Sequence, residues 1–151
     1  IVELGPGTGS FTRVIREQRP HNPLLAIERN PRFVGQLRRR FPDAHIVEGC
    51  ASQIRAAIDR AGLDSTPVAG VISGLPLLSL PKPLVGKVFA SLADVLPEGT
   101  SFVNFTYSKR GFNRRLDTPL FAVADSRHVL CNFPPATVMT LRSAAEPQVA
   151  A

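Results

Sequence analysis

Three glycines in alternate positions, directly after an apolar run, have the clearest chemical content of any feature in this sequence: Ile1-Val2-Glu3-Leu4-Gly5-Pro6-Gly7-Thr8-Gly9-Ser10. A strand ending in Gly-x-Gly-x-Gly before a helix turns sharply and comes close to a ligand, because no Cβ blocks the approach; Gly5, Gly7 and Gly9 are therefore candidate binding residues. A tight strand-to-helix turn without a ligand reads the same way, so the neighbouring residues must discriminate. Ser10 stands where the dinucleotide fingerprint G-x-G-x-x-G needs its third glycine, which disfavours a pyrophosphate and, with it, a dehydrogenase. Glu3, two residues before the first glycine, suits a bound cation better than a diphosphate. Glu28 closes the second apolar run nineteen residues after Gly9, where a carboxylate can accept hydrogen bonds from both hydroxyls of a ribose. The chemistry these residues suit is the binding of a positively charged nucleoside.

Such a turn works only if a sheet and its helices hold it. Short apolar runs alternate with longer amphipathic stretches, the pattern of βα units feeding a mostly parallel sheet. Strands are expected up to Leu4 and over Leu24 to Glu28, His45 to Glu48, Val68 to Ser73 and Ser101 to Tyr107. Helices are expected over Ser10 to Gln18, Pro31 to Phe41, Ser52 to Ala61 and Pro83 to Leu96, the last with Val85, Val88, Phe89 and Leu92 at helical spacing. Asn30-Pro31 reads as an N-cap with an N1 proline, and Pro97-Glu98-Gly99 as a helix stop. Arg127 to Phe133 and Ala136 to Arg142 read as two strands joined at Pro134-Pro135; so short a connection requires antiparallel pairing. The expected fold is one α/β domain over residues 1–142, a seven-stranded mostly parallel sheet ending in an antiparallel hairpin. Residues 143–151 are expected to be a frayed tail. Ile1 lies inside an apolar run, so N-terminal helices are expected to be missing.

Composition narrows the class. With 151 residues, 44% hydrophobic and 20% charged, the chain suits one globular domain, and no run of about 18 apolar residues offers a membrane span. Two cysteines, Cys50 and Cys131, suit a reducing cytoplasmic setting, and no spacing suggests a metal site. The net charge is +6; eight of the eighteen basic residues fall between Arg13 and Arg40, and a second group is Lys109, Arg110, Arg114 and Arg115. A basic face is expected, either simply solvated or attracted to the phosphates of lipid or nucleic acid.

On E-L-G-P-G-T-G and A-I-E-R-N the chain resembles the class I S-adenosylmethionine-dependent methyltransferases over nearly its whole length. The resemblance implies S-adenosyl-L-methionine as cofactor, held by Glu3, Gly5, Gly7, Gly9 and Glu28. It also implies an adenine contact after the third strand, in Val47-Glu48-Gly49-Cys50-Ala51. Cys50 takes the usual aspartate position and a thiol is a weak acceptor, so the adenine would rest on backbone groups and packing around Cys50 and Ala51.

Ser73-Gly74-Leu75-Pro76-Leu77 ends the fourth strand, where open α/β sheets place their reacting groups. In the ribosomal RNA adenine dimethyltransferases, which the chain also resembles, this motif is typically N-L-P-Y and its ring stacks on the flipped base. Here Ser73-Gly74 replaces the amide and Leu77 the ring, and base stacking contributes about 1–3 kcal/mol that leucine does not supply. S-G-L-P-L, Leu80-Pro81, F-T-Y at Phe105 to Tyr107 and N-F-P-P-A at Asn132 to Ala136 are similar to the bacterial phospholipid N-methyltransferases. That similarity implies methylation of phosphatidylethanolamine by a monomer at the anionic inner face of a membrane, with the stretch from Leu75 to Leu84 meeting acyl chains or packing on the fourth helix. RNA adenine methylation and a non-catalytic binding domain are the competing readings.

Methyl transfer to an amine is an in-line displacement that needs positioning and a proton acceptor. Ser73, Gly74 and Leu75 are candidates through backbone and hydroxyl groups, with Ser73 also beside the cofactor. Tyr107, the only tyrosine, is a candidate to orient the amine or face the forming quaternary ammonium, packing being the alternative. His21, His45 and His128 are read as structural.

Overall fold

The computed structural model describes residues 1–108, 120–130 and 135–143. Its elements follow in the order β1 (Val2–Leu4), α1 (Ser10–Gln18), β2 (Leu25–Glu28), α2 (Pro31–Arg40), β3 (His45–Glu48), α3 (Ile54–Arg60), β4 (Val71–Ser73), α4 (Lys82–Val95), β5 (Ser101–Thr106), β6 (Phe121–Val129) and β7 (Ala136–Ser143). They form one seven-stranded sheet in the order β3-β2-β1-β4-β5-β7-β6. The first five strands in this order pair in parallel, and β7 lies antiparallel to both β5 and β6. The chain order reverses at β1 and β4, so both strands deliver their C-terminal ends to one crevice, the place where open sheets bind ligands.

Helices cover both faces of the parallel strands, which is why β1 and β2 are buried at every position and read as unbroken apolar runs. Alternation along β1 and β2 sorts the faces. Val2, Leu4, Leu25 and Ile27 join α3 and α4 in the larger core, while Ala26 joins Val34, Leu37 and Phe41 of α2 and its C-cap. Glu3 is in register with Ala26 and so shares the α1–α2 face. Phe89 of α4 meets Phe102 and Phe121 edge-on or tilted at 5.6–5.9 Å, tying β5 and β6 to the helix layer.

Local signals explain the ends. The Asn30 side chain accepts from Arg32 N–H at 3.0 Å with Pro31 at the first helical position, as the sequence indicates. Two strands differ from expectation. β4 begins at Val71 rather than Val68, because the preceding segment is loop and the Gly70 carbonyl accepts from Val2 N–H. β6 begins at Phe121, six residues before Arg127; Ala122 to Asp125 are all exposed on this edge strand, so no apolar alternation marks it. Pro134, the far end of the Arg127 to Phe133 strand, and residues 144–151 of the tail lie outside the described residues. Among the described residues no helix is long and apolar enough to cross a membrane.

Candidate functional site

The turn between β1 and α1 uses its three glycines differently. All have positive φ: 66° at Gly5, 56° at Gly7 and 86° at Gly9. A Cβ on Gly5 would lie 2.8 Å from Leu75 Cδ2, and one on Gly9 would lie 2.7 Å from Phe41 Cε2. These two are demanded by packing as well as by backbone conformation. Gly7 has no atom within 4 Å of a Cβ position, so its backbone faces open space from which a ligand can approach.

Glu28 at the end of β2 faces that turn. Its Oε2 accepts from Gly7 N–H at 3.0 Å and its Oε1 from Asn30 N–H at 2.7 Å. The carboxylate is thus fixed by two backbone donors, and each oxygen keeps a second lone pair for a hydroxyl. Glu3 is placed lower than a surface cation partner would be. It is fully buried beneath the turn, and its Oε2 accepts from Thr12 Oγ1 at 2.7 Å. Glu3 Oε1 is buried and has no hydrogen-bond partner among the described residues. Burial pushes its pKa up from 4.5 to about 7; hydrogen bonds from Thr12 oppose the shift, and the Glu28 charge adds to it. An orphaned carboxylate oxygen under an open glycine turn fits a ligand that brings positive charge, and Glu28 fits one that brings hydroxyls.

Two cavities lie near the C-terminal ends of the strands, one reaching the turn at Gly5 and the other beyond the loop that follows β4. One of about 90 Å³ is lined by Ile27, Glu28, Cys50, Ala51 and Leu80 among others. Cys50 is half-buried and accepts from the Ser52 hydroxyl at 3.1 Å. Burial raises its pKa, but Ser52 and the charges of Arg29 and Lys87 outweigh that and leave the thiol below its usual value. The second cavity, about 290 Å³, lies between Pro76–Ser79 and the end of β5.

The β4 motif is tightly built. Ser73 is buried, its Oγ accepting from Leu75 N–H at 3.2 Å, and Gly74 N–H donates to the Leu4 carbonyl at 2.8 Å. A Cβ on Gly74 would sit 2.6 Å from the Gly5 carbonyl oxygen, so the two loops touch backbone to backbone. The Leu75 carbonyl accepts from Leu77 N–H. Leu77 is buried, and Leu75, Leu78 and Leu80 pack against the core, so most of this leucine-rich stretch is interior wall. Tyr107 is 58% exposed and lines the second cavity, its ring edge-on to Phe105 at 5.7 Å.

Asn104 was not among the residues singled out from sequence. It is 1% exposed, lines the second cavity, and its Oδ1 is buried without a partner. The signal was available: Phe102, Asn104 and Thr106 form the buried phase of the β5 alternation. His21, His45 and His128 are all exposed, and His128 Nδ1 lies 3.0 Å from Thr137 Oγ1. The basic face is narrower than the eight-residue count suggests. Arg13 pairs with Glu17 and Arg16 with Asp43, while Arg19, Arg29, Arg32, Arg38, Arg39 and Arg40 are exposed and keep their charge, Arg38 and Arg40 binding the Ile46 and Thr8 carbonyls. Lys109, Arg110, Arg114, Arg115, Cys131 and Asn132 to Pro134 lie outside the described residues. No group of metal-ligating side chains occurs among the described residues.

No family model matches the chain. It is 32% identical over 153 residues to the ornithine lipid N-methyltransferase of Singulisphaera acidiphila, covering 97% of this chain and 77% of that protein. Solved structures share the fold at low identity. TrmN from Thermus thermophilus superposes with a TM-score of 0.73 at 17% identity over 95% of this chain; the chain spans 43% of that protein's length. The N-methyltransferase NodS from Bradyrhizobium japonicum, in complex with S-adenosyl-L-homocysteine, gives 0.70 at 12% identity, with 95% and 77% of the two chains covered. Magnesium protoporphyrin IX methyltransferase from Synechocystis, with bound S-adenosylmethionine, gives 0.69 at 12% identity, covering 95% and 69%.

Proposed function

Since the chain belongs to the lipid N-methyltransferase family of its Singulisphaera relative, we propose that it methylates the headgroup amine of a membrane aminolipid, phosphatidylethanolamine, using S-adenosyl-L-methionine. The observation that carries the lipid-amine part of this reading is the 32% identity extending over 97% of the chain, while phosphatidylethanolamine as the particular lipid rests on the motifs from Ser73 to Leu77 and Phe105 to Tyr107. The site supports it. Gly7 opens the turn, Glu28 is fixed to receive two ribose hydroxyls, and the orphaned Oε1 of Glu3 suits the positive charge of the donor. The cavity beside Cys50 and Ala51 suits an adenine held by packing and backbone, as the missing aspartate requires.

When bound, the cofactor supplies a methyl group on a positively charged sulfur. The chain's own part is to position the amine and to keep water out. The loop that begins at Ser73-Gly74-Leu75 forms the partition, Leu75 lining one cavity and Pro76 to Ser79 the other, and it is pinned where Gly74 meets Gly5 backbone to backbone. Pro76, Leu77, Leu78 and Phe105 make the acceptor side apolar, which strengthens charge interactions inside it. Tyr107, at the exposed rim of this cavity, is on this reading the ring that faces the positive charge growing on nitrogen. The amine must reach the site neutral, so its proton leaves to water before the amine enters the apolar cavity. Exposed Arg19, Arg29, Arg32 and Arg39 suit an anionic surface, each contributing about 1 kcal/mol if it reaches the lipid; peripheral attachment at the cytoplasmic face of a membrane follows from this reading.

An ornithine lipid is the second substrate reading, favoured by the named activity of the relative. The deciding experiment incubates the protein with methyl-labelled cofactor and vesicles of phosphatidylethanolamine, vesicles containing ornithine lipid, or ribosomal RNA. Label in phosphatidylethanolamine supports the first reading, label only in ornithine lipid supports the second, and label in RNA alone refutes both.

A further inference from the structure

An amine entering the second cavity brings N–H donors into apolar surroundings, and each needs an acceptor. The end of β4 offers none from a side chain. Ser73 does not line the cavity and its Oγ already accepts from Leu75 N–H, and Gly74 cannot carry a side chain without striking the Gly5 carbonyl oxygen. The neighbouring strand offers one. Asn104 on β5 is in direct register with Ser73, so it stands beside the partition on the same face of the sheet. Its Nδ2 donates to the Phe105 carbonyl at 2.9 Å, which fixes the amide plane, while Oδ1 is left buried and unpartnered among the described residues. Of the other polar side chains around the cavity, Thr106 Oγ1 already bonds both the N–H and the carbonyl of Ser108, and Ser79 and Tyr107 sit at the exposed rim. A buried acceptor without a donor is destabilising unless a ligand completes it.

We propose that Asn104 is the substrate-binding residue of the acceptor cavity, its Oδ1 receiving an N–H of the headgroup amine and thereby aiming the nitrogen lone pair. The proposal takes its substrate class from the lipid-amine reading above. It carries a consequence that a packing role does not. A neutral primary amine has two N–H groups, a singly methylated amine one, and a doubly methylated amine none. The Asn104 hydrogen bond therefore assists the first and second transfers and has nothing to hold in the third.

The test compares wild type, Asn104→Leu and Asn104→Asp. Rates are measured on vesicles of phosphatidylethanolamine and of its mono- and dimethylated forms, with cofactor affinity measured by calorimetry. Asn104→Leu is expected to slow transfer to the primary and secondary amines by roughly tenfold, the scale of one hydrogen bond, while the tertiary amine and the cofactor affinity change by less than about twofold. Asn104→Asp keeps an oxygen at the Oδ1 position and, when protonated, a donor for the Phe105 carbonyl, so it is expected to restore the wild-type ratio of the three rates. Equal slowing on all three amines by Asn104→Leu, or an Asp variant whose ratio matches that of Leu, overturns the proposal while leaving the lipid reading intact. If Asn104→Leu does not fold, the ratio in the Asp variant alone decides. No transfer by the wild type to any of the three lipids overturns the substrate reading and this proposal with it.

Discussion

Glu3→Gln gives a sharp test of the buried carboxylate. In the free protein the Glu3 carboxyl is fully buried beneath the turn and its pKa is raised from 4.5 to about 7, chiefly by burial and in part by Glu28. A raised carboxyl pKa means that between these two values the folded chain holds a proton that the unfolded chain has released. The stabilising contribution is complete below pH 4.5 and is lost as pH rises through 7. The difference between the two values corresponds to about 3 kcal/mol at 1.36 kcal/mol per unit. Glutamine has the same shape, keeps an oxygen for the Thr12 hydroxyl and does not titrate. Urea unfolding at pH 5, 6.5 and 8 without cofactor should show wild-type stability falling across this range. The variant should stay level, matching wild type near pH 5 and exceeding it by about 3 kcal/mol at pH 8. The cationic cofactor should reverse the penalty by favouring the ionised form, so its affinity for wild type should rise as pH passes 7 and should be flat in Glu3→Gln. Parallel pH profiles for the two proteins would refute the assignment of that titration to Glu3.

Other perturbations separate ligand binding from folding. Gly7→Val places a β-branched side chain at φ 56°, in open space. It should cost about 1–2 kcal/mol in backbone strain yet abolish cofactor binding by calorimetry. Gly74→Ala instead drives a Cβ to 2.6 Å from the Gly5 carbonyl oxygen, and thermal melting should show a loss of more than about 2 kcal/mol with or without ligand. Glu28→Ala removes the acceptor that both Gly7 and Asn30 use, and cofactor affinity should drop by at least about 100-fold, as expected for losing two charge-assisted hydrogen bonds. Cys50→Asp supplies the acceptor that the thiol lacks, and calorimetry should show about three- to tenfold tighter cofactor binding.

Much of this architecture was legible because its local and long-range preferences agree. Ser10 to Gln18 and His45 to Glu48 match the observed α1 and β3 end for end, and the Asn30-Pro31 cap marks the start of α2. Ala136 begins a strand that runs antiparallel to its neighbours, as the short connection requires. The misses share a physical origin. Phe121 to Ser126 form an edge strand with little burial, so composition carries no imprint of the pairing. Val68 to Gly70 are apolar enough to read as strand, but loop geometry takes them before pairing begins at Val71. The tight turn was legible where backbone dictates residue type, at the positive-φ Gly5, Gly7 and Gly9. The depth of Glu3 and the orphaned oxygen of Asn104 were hidden, because they depend on which face of the sheet each residue meets. Strand alternation set beside the register of β1, β4 and β5 reveals both.

The central claim is that the turn from Gly5 to Gly9, with Glu28 one strand over, cradles the adenosyl donor. A crystal structure of the protein with S-adenosyl-L-homocysteine tests it most directly. The expected result is ribose hydroxyls on Glu28, adenine against Cys50 and Ala51, and the homocysteine amino group within reach of Glu3 Oε1. Density for the ligand away from this turn, or a ribose with no contact to Glu28, would contradict it.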